Sequence, residues 1–129
     1  YKMRRYLWFI VFLIAGCTYL RPKQNSMSNL TQSEWVEQMA AHPQAVVLDV
    51  RTEEEFESGY IPNAQNIDLR MGQGFIDALQ ELDKEKTYFV YCRSGARSAQ
   101  ACQLMGQLGF KTTYNLLGGI IEWEGEVVE

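Results

Sequence analysis

The stretch of this chain that is best equipped for chemistry is Cys92-Arg93-Ser94-Gly95-Ala96-Arg97-Ser98, which combines a thiol with two arginines, two serines and a glycine. The five residues before it, Thr87–Tyr91, are β-branched or aromatic and predict a buried strand. The apolar residues that follow at helical spacing are Ala101, Leu104, Met105 and Leu108. Gly109 then stands where a helix C-terminus is expected. Cys92 is therefore predicted to lie in a turn between a strand and a helix.

Such a turn favours the reactive form of a cysteine. The unpaired N–H groups at the start of a helix and the positive end of its dipole point toward the sulfur, which favours the thiolate over the thiol. Arg93 and Arg97 add positive charge, and we expect them to bind an anionic substrate. We therefore predict that Cys92 is a catalytic nucleophile. The simpler alternative is a core cysteine beside two solvated arginines.

The rest of this loop fits an anion-binding cradle. Gly95 lets the backbone approach the sulfur closely. Ser94 and Ser98 either donate hydrogen bonds to the substrate or only cap the helix, and the sequence leaves both readings open. The residues predicted to bind substrate are Arg93, Ser94, Gly95, Ala96, Arg97 and Ser98.

Composition limits the remaining possibilities. A chain of 129 residues with 47% hydrophobic residues has room for one globular domain. The net charge of -4 gives no sign of a nucleic-acid partner. His42 is the only histidine, so neither a histidine-rich metal site nor a Cys–His pair is predicted, and we expect no metal and no cofactor. Cys102 lies about 15 Å along the predicted helix from Cys92, too far for a disulfide, and is expected in the core.

The N-terminal segment resembles a bacterial export signal. Met3-Arg4-Arg5 is basic and is followed by an apolar run, Tyr6–Ala15, which is too short to span a membrane. Ile14-Ala15-Gly16-Cys17 resembles the lipobox of bacterial lipoproteins, which implies cleavage before Cys17 and lipid on that cysteine. We therefore predict a signal peptide at residues 1–16, a lipidated polar tether at 17–29 and a domain at 30–129. A plain secretory signal and a short uncleaved anchor are the alternatives.

The body of the chain alternates strands with helices. Thr31 with Glu34 and Thr52 with Glu55 form capping boxes that predict helix starts. Buried strands are predicted at 45–50, 87–91 and 112–116, with a minor strand near 64–67. A helix is also predicted after a loop that holds Gly72 and Gly74. This order indicates a parallel sheet with helices on both faces, and ligands of such sheets bind at the carboxyl edge, where Cys92 would lie.

Six other residues have plainer predicted roles. Asp49 and Arg51 flank the end of a strand and are predicted to form a structural ion pair. The acidic residues 53–55 complement a helix dipole, and we assign them no chemistry. Trp123 is predicted to cover the core.

From Leu30 to Trp123 the chain resembles the single-domain rhodaneses. The matching motifs are Leu48-Asp49-Val50-Arg51, Glu55-Phe56, Gly59-Tyr60-Ile61-Pro62-Asn63-Ala64, Asn66-Ile67, the Cys92 loop, Asn115-Leu116, Gly118-Gly119-Ile120 and Trp123. The resemblance implies an α/β fold with a five-stranded parallel sheet. Two departures concern the shape of one loop outside the Cys92 turn, since many family members have His where this chain has Tyr60 and Gly where it has Asn63.

The resemblance also implies a sulfurtransferase. In that chemistry Cys92 takes the outer sulfur of a small anionic donor such as thiosulfate as a persulfide and passes it to a thiol or a cyanide-like acceptor. One alternative is a cysteine phosphatase or arsenate reductase on a related scaffold, although those phosphatases use a longer Cys-X5-Arg loop, and this chain has Cys-X4-Arg preceded by Tyr91. The other is a non-catalytic binding module, although such modules commonly lack the cysteine.

Lipid on Cys17 would place the domain at a membrane of the bacterial cell envelope, periplasmic or outer-membrane-associated. We expect Cys17→Ala, expressed in a bacterial host, to leave the membrane fraction and to change its gel migration, because the apolar run alone is too short to span the bilayer. Cys92→Ser is the matched control and is expected to stay with the membrane. Unchanged fractionation of Cys17→Ala would contradict lipidation.

Overall fold

The computed structural model describes residues 25–129, and the predicted signal peptide and Cys17 lie outside these described residues. The elements in chain order are β1 (Ser26–Leu30), α1 (Gln32–Ala41), β2 (Val46–Asp49), α2 (Glu53–Glu57), β3 (Gln65–Asn66), a 3₁₀ helix (Leu69–Met71), α3 (Gln73–Gln80), β4 (Thr87–Tyr91), α4 (Ala96–Gln107), β5 (Thr112–Leu116) and a second 3₁₀ helix (Ile120–Glu122). The predicted alternation of strands and helices is confirmed.

The five strands form one parallel sheet in the order β1-β5-β4-β2-β3. The central strand is β4, which pairs with β2 on one side and β5 on the other. Because all strands run the same way, their carboxyl ends meet at one edge of the sheet. Cys92, which follows β4, is thus at the middle of that edge.

The boundary of the predicted tether is wrong at its C-terminal end. The lack of apolar periodicity predicts that residues 26–29 belong to the tether, but they form most of β1, which pairs with β5 from Ser26 to Leu30. Only Leu30 of this strand is buried. An edge strand is held by main-chain hydrogen bonds on one side, so its side chains can remain polar and give no hydrophobic pattern.

Each face of the sheet carries its own hydrophobic core. On one face α3 and α4 contribute Phe75, Leu79 and Met105. On the other face Trp35 of α1 packs against Phe89 and is fully buried. The ring of Trp123 lies 5.5 Å from that of Trp35, which confirms its predicted place over this core. Helices therefore cover both faces, and β4 alternates its side chains between the two cores.

Local sequence signals set most helix ends. Both predicted capping boxes are present, at Thr31 with Glu34 and at Thr52 with Glu55. Gly109 follows α4 with a φ of 94°, as expected for a residue that ends a helix. The helix predicted after Gly74 begins two residues earlier, at Gln73, so Gly74 lies within it. None of the helices between residues 25 and 129 has the length and hydrophobicity that are needed to span a bilayer.

The predicted ion pair between Asp49 and Arg51 is confirmed and is buried. Arg51 Nη2 lies 2.7 Å from Asp49 Oδ2 and also donates to the carbonyl of Gly59 at 2.7 Å. The exposed fractions of the two side chains are 0% for Asp49 and 6% for Arg51. The pair therefore fixes the end of β2 to the loop that follows α2.

Arg51→Met should destabilise the fold strongly. Removing the guanidinium leaves the Asp49 carboxylate buried without its charge partner, which costs about 3–5 kcal/mol of the free energy of unfolding. Urea denaturation measures this loss. Arg70→Met is the matched control, because Arg70 is exposed, and its change should stay within about 0.5 kcal/mol. Equal stabilities of the two variants would show that the buried pair contributes little.

Candidate active site

Cys92 lies directly after β4, at the carboxyl edge of the sheet, and only 1% of its surface is exposed. Its Sγ accepts a hydrogen bond from the backbone N–H of Gly95 at 3.1 Å. The hydroxyl of Ser98 donates to the same sulfur at 3.3 Å. The sulfur is therefore surrounded by donors that converge on it from the turn and from the first helical turn of α4.

Gly95 gives the turn its shape. It is the residue before α4 and has a φ of 102°, a conformation that side-chain-bearing residues rarely adopt. A Cβ here would also lie only 3.3 Å from the carbonyl oxygen of Leu116. A glycine is thus needed both for the backbone angle and for the close approach to β5.

The donors outweigh burial in setting the charge state of the thiol. Burial alone raises the pKa of Cys92, but the Ser98 hydroxyl and the backbone N–H groups of Ser98, Gly95 and Ser94 lower it, and the net result is a pKa below the ordinary value. Hydrogen bonds to the charged form stabilise that form. The site therefore stabilises the thiolate, the nucleophilic form, more than the surroundings of an ordinary cysteine would.

Arg97 is held by Glu55. Arg97 Nη1 donates to Glu55 Oε1 at 2.7 Å and Nη2 donates to Oε2 at 2.9 Å, a two-pronged ion pair between α4 and α2. These hydrogen bonds lower the pKa of Glu55 to about 2, although partial burial acts in the opposite direction. The sequence predicts no chemistry for Glu55, because the helix dipole explains an acidic residue at a helix start, and no sequence signal connects residues 42 positions apart.

The remaining loop residues differ in their setting. Arg93 is exposed, and within residues 25–129 no acidic side chain forms an ion pair with it. The backbone N–H of Ser94 helps to lower the pKa of Cys92. Ala96 begins α4 and is exposed. The structure thus brings Ser94, Gly95 and Ser98 to the sulfur, ties Arg97 to α2 and leaves Arg93 open to solvent.

The segment after β5 braces the other side of the loop. The N–H of Ile120 donates to the carbonyl of Cys92 at 2.9 Å, and the N–H of Ile121 donates to that of Arg93 at 3.0 Å. A Cβ on Gly119 would overlap the Arg93 carbonyl. The adjacent glycines at 118 and 119 were a visible signal for such a close approach, but the sequence did not show which segment they approach.

The other candidate groups do not join the site. Cys102 is buried in the core, as predicted, and burial raises the pKa of its thiol to about 12. His42 ends α1 and its Nδ1 lies 2.8 Å from the Gln38 carbonyl. Among residues 25–129, no group of three or more His, Cys, Asp or Glu side chains could hold a metal ion.

The two departures from the family pattern lie in the loop after α2. Asn63 has a φ of 66°, a left-handed conformation that asparagine tolerates better than most residues, which explains how it can replace a glycine. Tyr60 stacks on Phe56 with 4.1 Å between ring centroids, and its backbone pairs with Val128. Both residues are accommodated by local contacts.

Comparison with known proteins places these features in context. Residues 32–126 match the sequence model of the rhodanese-like domain family. YtwF, a provisionally named sulfurtransferase of Bacillus subtilis, is 41% identical over 90 residues, which cover 70% of this chain and 84% of YtwF. A sulfurtransferase of Allochromatium vinosum is 39% identical and is matched over 75% of this chain and 89% of its own length.

Similarity extends to a solved structure and to a larger enzyme. The crystal structure of a rhodanese-like domain protein from Staphylococcus aureus superposes with a TM-score of 0.66 at 31% identity, over 78% of this chain and 94% of that protein. The tRNA uridine(34) hydroxylase of Legionella pneumophila is 31% identical over 88% of this chain, which spans 46% of that enzyme. Proteins that are similar to this chain therefore include both sulfurtransferases of about the same length and a hydroxylase about twice as long.

The hydroxyl of Ser98 and the backbone of Ser94 can be distinguished by titration. We expect Ser98→Ala to raise the pKa of Cys92, because the variant loses a hydrogen bond that stabilises the thiolate. Ser94→Ala keeps its backbone N–H and should leave that pKa in place. The measurement is the ultraviolet absorbance of the thiolate against pH, with the titration of Cys92→Ser subtracted. Equal titrations of the two alanine variants would exclude the hydroxyl as a significant donor.

Proposed function

The chain belongs to the rhodanese-like domain family, and we propose that it is a sulfurtransferase in which Cys92 carries the transferred sulfur. The observation that supports this most directly is the convergence of the Gly95 N–H and the Ser98 hydroxyl on a buried sulfur whose pKa is lowered. Two similar proteins, YtwF and the Allochromatium vinosum protein, have names that support the same reaction class.

The proposed reaction has two displacement steps. The Cys92 thiolate attacks the outer sulfur of a donor such as thiosulfate, a new S–S bond forms, and the bond to the sulfonyl sulfur breaks as sulfite leaves with the electron pair. A thiolate or cyanide-like acceptor then attacks the outer sulfur of the persulfide. That S–S bond breaks, and the Cys92 thiolate returns. Atoms and electrons balance without an external oxidant, so the proposal requires no cofactor.

The loop offers a separate group for each anionic partner in this scheme. The negative charge of the persulfide would lie on the outer sulfur, near the same backbone N–H groups that stabilise the thiolate. The exposed guanidinium of Arg93 is open to an incoming anion such as thiosulfate. Arg97 is already bound by Glu55, so we assign it to holding α4 against α2 as well as to the electrostatics of the loop.

Cysteine phosphatase or arsenate reductase activity is the second candidate, and a specific feature of the loop weighs against it. Four residues separate Cys92 from Arg97, and the donors of this short loop already lie within 3.1 and 3.3 Å of the sulfur itself. A cradle this close suits one additional sulfur atom better than a tetrahedral oxyanion. A non-catalytic binding module is the third candidate, but it gives no reason for a stabilised thiolate.

The cellular setting stays a prediction from the N-terminal segment. Lipid on Cys17 would hold the domain at a membrane surface of the bacterial cell envelope. A protein thiol is then a suitable acceptor, because the tether keeps the domain close to other membrane-associated proteins.

Cys92→Ser should lower thiosulfate:cyanide sulfurtransferase activity by about three orders of magnitude or more, as expected when a nucleophile is removed. Cys102→Ala is the matched control and should keep most of the activity, since that thiol is buried in the core. The production of thiocyanate measures sulfur transfer. Mass spectrometry of the unchanged chain after exposure to thiosulfate should show one extra sulfur on Cys92.

Two outcomes would contradict this proposal. Comparable transfer by Cys92→Ser and the unchanged chain would remove Cys92 from the reaction. Faster hydrolysis of an aryl phosphate than consumption of thiosulfate would instead place the phosphatase reading first.

A further inference from the structure

Asn115 is a buried polar residue of β5 that contacts the loop of the proposed nucleophile, Cys92–Ser98, called the catalytic loop below. Only 1% of its surface is exposed. Its side-chain Nδ2 donates to the carbonyl of Gly95 at 3.3 Å and to the side-chain Oδ1 of Asn29, on the edge strand β1, at 2.9 Å. One amide group therefore joins the catalytic loop to two strands of the sheet.

The other end of this amide indicates that stability alone does not explain the residue. Asn115 Oδ1 is buried and has no hydrogen-bond partner among the described residues. A buried acceptor without a partner lowers the stability of the fold, and an apolar side chain of the same shape would avoid that cost. The hydrogen bonds that the Asn115 side chain donates are therefore the reason to consider for an asparagine at this position.

The residue held by Asn115 is the one that aims a donor at the sulfur. The Gly95 N–H lies 3.1 Å from Cys92 Sγ, while the Gly95 carbonyl accepts from both Asn115 and the N–H of Ala99, at 3.1 Å for the latter. Gly95 has no side chain and a φ of 102°, so nothing within the residue itself fixes its orientation. Its two peptide groups are oriented by their hydrogen-bond partners.

We propose that Asn115 is a positioning residue of the catalytic loop, which holds the Gly95 carbonyl and so keeps the Gly95 N–H directed at the Cys92 sulfur. Its effect on catalysis rests on the proposed sulfurtransferase function. Its effect on the thiolate does not, because the hydrogen bond to the sulfur exists before any substrate binds.

The test replaces Asn115 with leucine, which has nearly the same shape but no donor. We expect Asn115→Leu to fold with a stability near that of the unchanged chain and to raise the pKa of Cys92, as read by thiolate absorbance without a sulfur donor. In the thiosulfate assay, kcat/KM should fall about three- to tenfold, the range for one hydrogen bond of ordinary net strength. Near-ultraviolet circular dichroism confirms the fold. If Asn115→Leu does not fold, Asn115→Ser is measured instead, and the same changes in the pKa of Cys92 and in kcat/KM are expected.

Asn29→Ala is the matched control, because it removes the other hydrogen-bond partner of the same amide. We expect this variant to keep both the pKa of Cys92 and kcat/KM close to those of the unchanged chain. An unchanged pKa of Cys92 in folded Asn115→Leu, or an equal shift in Asn29→Ala, would overturn the proposal. If the unchanged chain has no sulfurtransferase activity but Asn115→Leu still raises the pKa, the proposed function fails while the positioning role stands.

Discussion

The stabilisation of negative charge on a buried sulfur by backbone N–H groups is the interaction on which this site depends. Cys92 is 1% exposed, so water contributes little to its thiolate, and burial alone would keep the thiol protonated. The N–H of Gly95 and the hydroxyl of Ser98 replace that water. These dipoles stabilise the thiolate only if the loop holds them in place, because in a mobile loop the N–H and O–H groups would turn away from the sulfur.

The rest of the fold supplies that rigidity from three directions. The β5 strand holds Gly95 through Asn115, and the segment after it binds the carbonyls of Cys92 and Arg93. Helix α2 holds the start of α4 through the ion pair of Glu55 with Arg97. The buried ion pair of Asp49 with Arg51 in turn ties the strand before α2 to the loop after it. The Cys92 loop is thus fixed by elements that are distant from it in sequence.

This division explains what could be predicted from the sequence. Strand β4, the Cys92 turn, α4 and both capping boxes follow from residues close together in the chain, and the structure confirms them. The partners of Glu55 and Asn115 lie 42 and 20 residues away, so spacing and periodicity carry no trace of them. Strand β1 was missed for a related reason, since main-chain hydrogen bonds at a sheet edge place few demands on side chains.

The ion pair of Arg97 also bears on how a site of this kind could turn over. In the proposed reaction the enzyme alternates between two anions, a thiolate and a persulfide, and it must bind neither so strongly that the other becomes inaccessible. A free guanidinium against the sulfur would bind one of them as a tight ion pair. Glu55, whose pKa of about 2 keeps it charged at neutral pH, offsets the charge of Arg97. The sulfur is then left mainly to N–H and O–H dipoles, which can stabilise either anion, while the exposed charge of Arg93 remains available to the proposed donor.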